Sequence, residues 1–192
     1  MASPLIGLVG RKRVGKDTVA QRLVHTHAFT RFAFADLLRE AVLRLDPIVL
    51  PMDSTWASYR LSEVVAQEGW ESAKEIPEVR RLLQNYGTAI REVDPAFWIC
   101  PVLSALDGCA TPAVVTDVRF PNEADALLAR GATLLRITRP GLDESDQHES
   151  ETAMADYPIA EILRNTNDIE HMFDRVDAWV LGRHRTPGRC LS

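Results

Sequence analysis

The sequence is short of the features that mark a secreted, metal-stapled or membrane-bound protein. Its 192 residues hold only three cysteines, Cys100, Cys109 and Cys190. The number is odd and the spacing shows no paired metal-ligand pattern. That argues against a disulfide frame or a zinc site and for free thiols in a reducing compartment. The chain does not begin with a charged-then-apolar signal segment, and no apolar run is long enough to span a bilayer. The expected location is therefore the cytoplasm, with no membrane partner. A global basic field is also missing: the net charge is −5, which speaks against the electrostatics of non-specific nucleic-acid binding. There is no internal repeat, no low-complexity tract, no Ser/His/Asp triad and no sign of a nucleophilic cysteine. Only residues 182–192, polar and basic, read as a loose tail. With 46% hydrophobic and 26% charged residues, the chain suits one globular domain with small insertions. A homodimer is compatible with this composition.

What is present begins at Leu5. An apolar run, Leu5 to Val9, breaks at Gly10, and Gly15 and Lys16 complete the pattern G-x-x-x-x-G-K. Glycines at these places let the backbone turn tightly and gather several N–H groups onto one anion. The following helix adds the positive end of its dipole. Arg11, Lys12, Arg13 and Lys16 put four cations into this one loop of an acidic protein, which points to a small polyanion as ligand. Asp17 occupies the place where Ser or Thr usually follows the lysine, and Thr18 comes next.

Periodicity then alternates between strand and helix. Val19, Leu23 and Val24 stripe the helix after the loop, and Phe29 to Phe34 reads as a short strand. Asp36 is expected to cap a helix whose Leu37, Leu38, Ala41, Val42 and Leu45 face the core. Pro47 and Pro51 open an irregular region. Helices are expected from Thr55 to Gly69, from Pro77 into Gly87, and from Pro95 through Phe97, Trp98, Val102 and Leu106, with Trp70 in a turn. The whole stretch 47–108 thus reads as a helical lobe inserted between sheet strands. Ala113 to Thr116 is a buried strand ending in Asp117, Pro121 to Arg130 a helix, and Ala132 to Ile137 another strand. Pro140 to His148 is a polar loop, His148 to Ala155 a short helix, and Ile159 to Leu163 the last strand. Asn167 is expected to cap a final helix lined by Ile169, Met172, Phe173, Val176 and Val180. Such alternation implies an α/β fold with a parallel sheet, helices on both faces, and ligands at the carboxyl ends of strands. Gly10, Asp117 and Asn165 all fall just past expected strands.

Phosphoryl transfer requires phosphates held in line, a metal bridging their oxygens, and cations where charge spreads. Lys16 suits the β- and γ-phosphates of a triphosphate. Asp17 reads as an outer-sphere metal or water ligand, or else as a helix cap, and Thr18 can supply the missing hydroxyl. Asp117 suits the second acidic position of a metal site, or a strand-end cap. Arg119 suits the same phosphates, or a salt bridge to Glu123. Arg39, Arg60, Arg80, Arg81 and Arg91 offer planar forks for a second phosphate-bearing substrate, or form solvated helix faces. Trp98 either stacks on a base or joins Phe97 in the core. His148, Glu149 and Glu151 hold too little histidine for zinc and read as a mobile, charged closing segment.

The stretches GRKRVGKDT, FADLLRE, LLQNYGTAIREVDPAFW, VVTDVRFPNEADALLARGATLLRITRPG, HESE and ILRNTND together resemble the bacteriophage deoxynucleoside monophosphate kinases, from about Leu5 to Val180. The resemblance implies a P-loop NTPase, NMP-kinase-like fold: a parallel five-stranded sheet flanked by helices, a helical NMP-binding lobe and a short lid at about 139–156. It also implies transfer of the γ-phosphate of ATP to a deoxynucleoside monophosphate (dNMP) with Mg²⁺ as cofactor, in the host cytoplasm if the origin is a phage. Arg13, Gly15, Lys16, Asp17 and Thr18 would hold ATP, with Lys16, Arg13, Asp17 and Arg119 catalytic. Thr18, Asp17 and Asp117 would serve the metal directly or through water. Lys12, Arg39, Arg60, Arg80 and Asp117 would bind the dNMP acceptor, Gly87, Thr88 and Trp98 would line its base pocket, and Asp117 with Arg119 matches the family's strand-end D-x-R. Another small-molecule kinase such as a dephospho-coenzyme A kinase stays open as a rival, as does a nucleotide switch or nucleic-acid-handling ATPase.

Overall fold

A computed structural model describes residues 3–50, 59–141, 148–166 and 168–184, which fall into two compact units. The first unit comprises Met1–Ala33 and Val102–Ser192, and the second Phe34–Pro101.

The first unit is built on five parallel strands: β1 (Leu5–Val9), β2 (Thr30–Phe32), β5 (Ala113–Val118), β6 (Thr133–Thr138) and β7 (Glu161–Arg164), in the order β2-β5-β1-β6-β7. With β1 in the middle, the loop that follows it emerges at the centre of the carboxyl edge. The expected α/β architecture with a five-stranded parallel sheet is therefore present. Val114 and Val115 are both fully buried, as a strand covered on both faces requires. Ile6, Leu8, Leu135 and Ile137 pack with Val19 and Leu23 of α1 (Lys16–His27) and with Met172, Val176 and Val180 of α8 (Ile169–His184). On the other face Gly7 lies under Leu127 of α6 (Pro121–Leu128). A Cβ on Gly7 would come 2.8 Å from Leu134 and 3.1 Å from Leu127, so glycine keeps that helix close to the sheet.

Three expectations shift here. Asp117 lies inside β5 and not past it, because Val118 still pairs with Val9 beyond a register shift. The last strand begins at Glu161. The expected cap Asn167 lies outside the described residues, and the Asp168 carboxylate beside it accepts from the N–H groups of Glu170 and His171 (3.0 and 3.1 Å). Ile169 opens α8 and is exposed, since the first helical position points away from the stripe formed by the turns that follow.

The second unit contains α2 (Ala35–Leu45), β3 (Ile48–Leu50), β4 (Tyr59–Arg60), α3 (Leu61–Ala73), α4 (Pro77–Val93) and the start of α5 (Ile99–Asp107). Its core joins Val42, Val49, Leu61, Val64, Ala73 and Val79, with Leu38, Trp70 and Tyr86 against it. The region is not wholly helical: β3 and β4 form an antiparallel pair in which Ile48 faces Arg60. Ile48 is exposed and Val49 buried, the alternation of a half-buried strand, but the run between Pro47 and Pro51 is too short to declare itself. Asp36 does not cap α2. Phe34 holds that place, and Asp36 sits in the first turn, 3.5 Å from Arg39. Leu45 is exposed because α2 ends there, its successor Asp46 turning left-handed. Helix α3 passes Gly69 through a kink (φ 75°, ψ 167°), so Trp70 is helical, and the expected start at 55 lies outside the described residues. Helix α4 continues through Gly87 to Val93. A Cβ at Gly87 would stand 3.1 Å from Leu38, and the close approach of α2 to α4 accounts for a glycine inside a helix. Helix α5 begins at Ile99, after a turn that Asp94 holds by accepting from the Ala96 N–H (2.9 Å).

Candidate phosphate-binding site

The loop between β1 and α1 needs its glycines for two different reasons. Gly10 has φ 150°, and a Cβ there would meet the carbonyl oxygen of Ile137 at 2.5 Å. Gly15 has φ 103°, and a Cβ would press the Asn165 amide at 2.8 Å and the Met172 methyl at 2.9 Å. Arg13 also adopts a left-handed conformation, φ 65°, without being glycine. Such a backbone persists only where its surroundings over-determine it. Here Asn165, buried at the end of β7, donates Nδ2–H to the carbonyl of Val14 (2.9 Å), and Arg139 donates to the carbonyl of Arg13 (3.3 Å).

Lys16 begins α1 and is 8% exposed. Its Nζ donates to the carbonyls of Gly10 (2.5 Å) and Arg11 (2.7 Å), so the ammonium lies across the loop it follows. Burial first, then the charge of Arg119, pushes it down to about 8 against the opposing pull of Glu151, Asp17 and Asp117. The same residues that influence Lys16 are those the sequence marked: Asp17 at the exposed first turn of α1, half-buried Asp117 in β5, and Arg119 just beyond it. Half-buried Thr18 follows on α1.

Arg119 is not paired with Glu123 through its side chain. Its main-chain N–H donates to the buried Glu123 carboxylate (2.8 Å), as does that of Phe120 (3.1 Å), which starts α6. The guanidinium turns the other way, to Glu151 and to the carbonyl of Ser150 (3.1 Å) on the short helix α7 (Glu149–Thr152). The other oxygen of Glu151 accepts the main-chain N–H of Lys12 (2.8 Å). Burial alone would raise the Glu151 carboxyl, but Arg119, the Lys12 N–H and Lys16 outweigh it and hold it below the ordinary carboxylate range. Burial likewise opposes the charge on Arg119, and Glu151, Asp117 and Glu123 overcome it, keeping the guanidinium charged.

Among the described residues, no three His, Cys, Asp or Glu side chains gather as a metal cage. Mg²⁺ on nucleotide phosphates keeps several waters and takes only one or two protein oxygens. A hydroxyl at Thr18 and carboxylates at Asp17 and Asp117 are hard oxygen ligands of that kind.

The remaining site candidates lie in the second unit. Arg39 pairs with Asp36 and stands 6.0 Å from the Trp70 ring. Arg80, Gly87 and Thr88 are half-buried along α4. Arg60 donates its guanidinium to the Asp46 carbonyl at the end of α2 (2.7 Å), beside the Asp46 carboxylate that receives the Ser62 N–H (2.8 Å). Arg81 pairs with Glu78 (2.5 Å). Trp98 is 2% exposed, edge-on to Phe97 at 4.8 Å, and donates Nε1–H to the Gly87 carbonyl (3.1 Å). It is a core residue that reaches the expected base pocket through Gly87.

Two residues escaped the sequence reading. Asn165 was visible as a strand-end position but not as the clamp on the loop. Glu151 stood in a polar cluster with nothing to single it out, because its partners lie 139 and 32 residues away.

The profile of the family described as Deoxynucleotide monophosphate kinase matches residues 45–176. A protein of Acanthamoeba polyphaga mimivirus, named provisionally as a deoxynucleotide monophosphate kinase, is 29% identical over 192 residues, covering 92% of this chain and 95% of its own. The Deoxynucleotide monophosphate kinase of Enterobacteria phage T4 is 29% identical over 107 residues, 51% of this chain and 43% of the phage protein. Among solved structures, shikimate kinase from Aquifex aeolicus covers 95% of this chain and 99% of its own at 13% identity, with a TM-score of 0.47. With a phosphate loop at the centre of a parallel sheet and a family profile that spans most of the sequence, the chain belongs to the deoxynucleotide monophosphate kinase family of ATP-dependent kinases.

Proposed function

We propose that this kinase transfers the γ-phosphate of ATP to a deoxynucleoside monophosphate, giving the diphosphate and ADP, with the donor phosphates on the loop from Gly10 to Thr18. The observation that carries the reading is Lys16: a buried ammonium at the head of α1, in a loop that only glycines permit, within the field of Asp17, Asp117 and Arg119. Main-chain N–H groups of residues 13–18 receive the phosphate oxygens, helped by the N-terminal end of α1. On binding, Lys16 exchanges two neutral carbonyl acceptors for charged phosphate oxygens, a stronger partnership. Thr18, Asp17 and Asp117 are the residues assigned to hold Mg²⁺ or its waters, and the ion would supply positive charge against the phosphates.

Lys12, Arg39 and Arg80 are assigned to the acceptor phosphate, and Gly87 and Thr88 to its nucleoside. Trp98 supports Gly87 from the core, and the engagement of Arg60 with Asp46 leaves that arginine to the fold of the second unit. No general base is needed, since the second ionisation of a monophosphate lies near pH 6. Arg119 and Lys16 offset the charge that spreads over the transferring group. The segment at about 139–156 is assigned as the lid that excludes water. No described helix is long and apolar enough to cross a membrane, and the cytoplasm is the proposed location.

The test is ADP release with ATP across the four common dNMPs, their ribonucleotide counterparts and dephospho-coenzyme A. Acceptor-dependent release with at least one dNMP is expected. Lys16→Ala should lower kcat/KM by about 10³-fold with the melting temperature nearly unchanged. Phosphorylation of dephospho-coenzyme A alone would overturn the substrate, and near-normal turnover in the variant would overturn the loop assignment.

A further inference from the structure

We propose that Glu151 is a positioning residue of the phosphate-transfer site, aiming the Arg119 guanidinium and fixing the Lys12 end of the loop from a helix that belongs to neither. The inference rests on the assignment of Arg119 to the transferring phosphate.

The main chain of Arg119 is held by buried Glu123, but that leaves every torsion of its long side chain undetermined. What settles the direction of the guanidinium is α7, through the Glu151 carboxylate and the Ser150 carbonyl. One carboxylate serves two masters. Its first oxygen faces the arginine and its second takes the N–H of Lys12, so the distance between Arg119 and the loop is set by the span of a single carboxyl group.

The support under Glu151 is itself tied down. His148 accepts the Ser150 N–H at Nδ1 (3.2 Å) and caps α7. Beyond the helix, the Arg136 guanidinium, on β6, donates to the carbonyls of Met154 (2.8 Å) and Tyr157 (2.9 Å). The segment that follows α7 is thus tied to β6, α7 itself carries a local cap, and the Glu151 side chain is 6% exposed. A carboxylate fixed from behind and shared between two site groups is the arrangement that preorganises a charged donor.

The experiment is a double-mutant cycle on the full-length protein. Steady-state ADP release at saturating dNMP is compared for wild type, Glu151→Ala, Arg119→Ala and the double variant, with Glu151→Gln as the near-isosteric probe. Glu151→Gln should lower kcat by about tenfold or more while the KM for ATP changes by no more than about threefold. In the Arg119→Ala background, Glu151→Ala should cost clearly less than it does in wild type, the remainder being its hold on the Lys12 end of the loop. Glu151→Asp, too short to span both partners, should recover only part of the loss of Glu151→Ala. Wild-type kcat in Glu151→Gln, or losses that multiply in the double variant, would overturn the proposal. So would loss of the melting transition in both the Ala and Gln variants, which would assign Glu151 to the fold alone. Should wild type release ADP only without an acceptor, the substrate reading is what fails, and the same cycle is then read on that hydrolysis.

Discussion

The charged groups of the two units are organised on opposite plans. Around the phosphate loop the partners come from far along the chain: Glu151 reaches Lys12 and Arg119, and Asn165 reaches Val14, 151 residues away. In the second unit three arginines pair within their own helices, Arg39 with Asp36 and Arg81 with Glu78 three residues back and Arg44 with Glu40 four back, and Arg60 reaches the Asp46 carbonyl fourteen back. Long-range, buried partners fix a group before any ligand arrives. Exposed i,i+3 and i,i+4 pairs are worth only a few tenths of a kcal/mol and give way easily. The loop is therefore built as a preset mould, while these three pairs of the second unit tie each arginine only to its own helix.

The sharpest way to break this contrast is a pair of glycine substitutions. Gly15→Ala puts a Cβ into the Asn165 amide and the Met172 methyl on a backbone at φ 103°, and should cost about 2 kcal/mol or more in stability and abolish measurable turnover. Gly87→Ala meets only the flexible end of Leu38 in an ordinary helical conformation. Helix propensity offsets the contact, so its melting temperature should stay within a few degrees of wild type. Equal destabilisation of the two would show that loop and lobe are alike in rigidity. A smaller effect is expected from Arg39→Ala: about a tenfold rise in the KM for dNMP, an ATP KM within about twofold, and no change in melting temperature. An equal rise in both KM values would show that Arg39 does not discriminate donor from acceptor.

The smallest effect concerns the foundation of the loop. Asp177 on α8 receives Arg22 (2.5 Å) and His27 (2.8 Å) of α1. The Arg22 hydrogen bond, then that of His27 and both charges, hold its carboxyl down to about 2 against the effect of burial. A carboxyl depressed in the folded state stabilises above its ordinary value near 3.8 and loses that contribution as pH falls towards 2. Asp177→Asn should therefore cost about 1 kcal/mol at pH 7, after allowance for its partial exposure, and the difference should vanish by about pH 2. Thermal melts across that range read it directly. A difference that persists at pH 2 would mean the loss is one of packing and not of charge.

Much of the first unit was legible because its signals are local. The glycine spacing, the apolar run of β1, the stripe of α1 and the buried β5 each fit within a dozen residues. Trp98 was read both ways, as core and as stacking face, because an aromatic in an apolar stripe looks the same in either role. Only the Gly87 carbonyl on its indole nitrogen separates them. The β3–β4 pair was hidden by length: three residues between prolines carry no period. Glu151 and the clamp of Asn165 were illegible for a different reason. Their meaning lies in contacts 32 to 151 residues away, which no window on the sequence contains.

One of those contacts bears on the order in which the protein is made. The phosphate motif follows β1 and leaves the ribosome well before β7, yet its left-handed Gly15 and the carbonyl of Val14 wait for an amide at position 165. Until that residue emerges, a nascent chain carries the whole motif without the hydrogen bond that ties Val14 down. Completion of the loop is thereby deferred until β7 has been made.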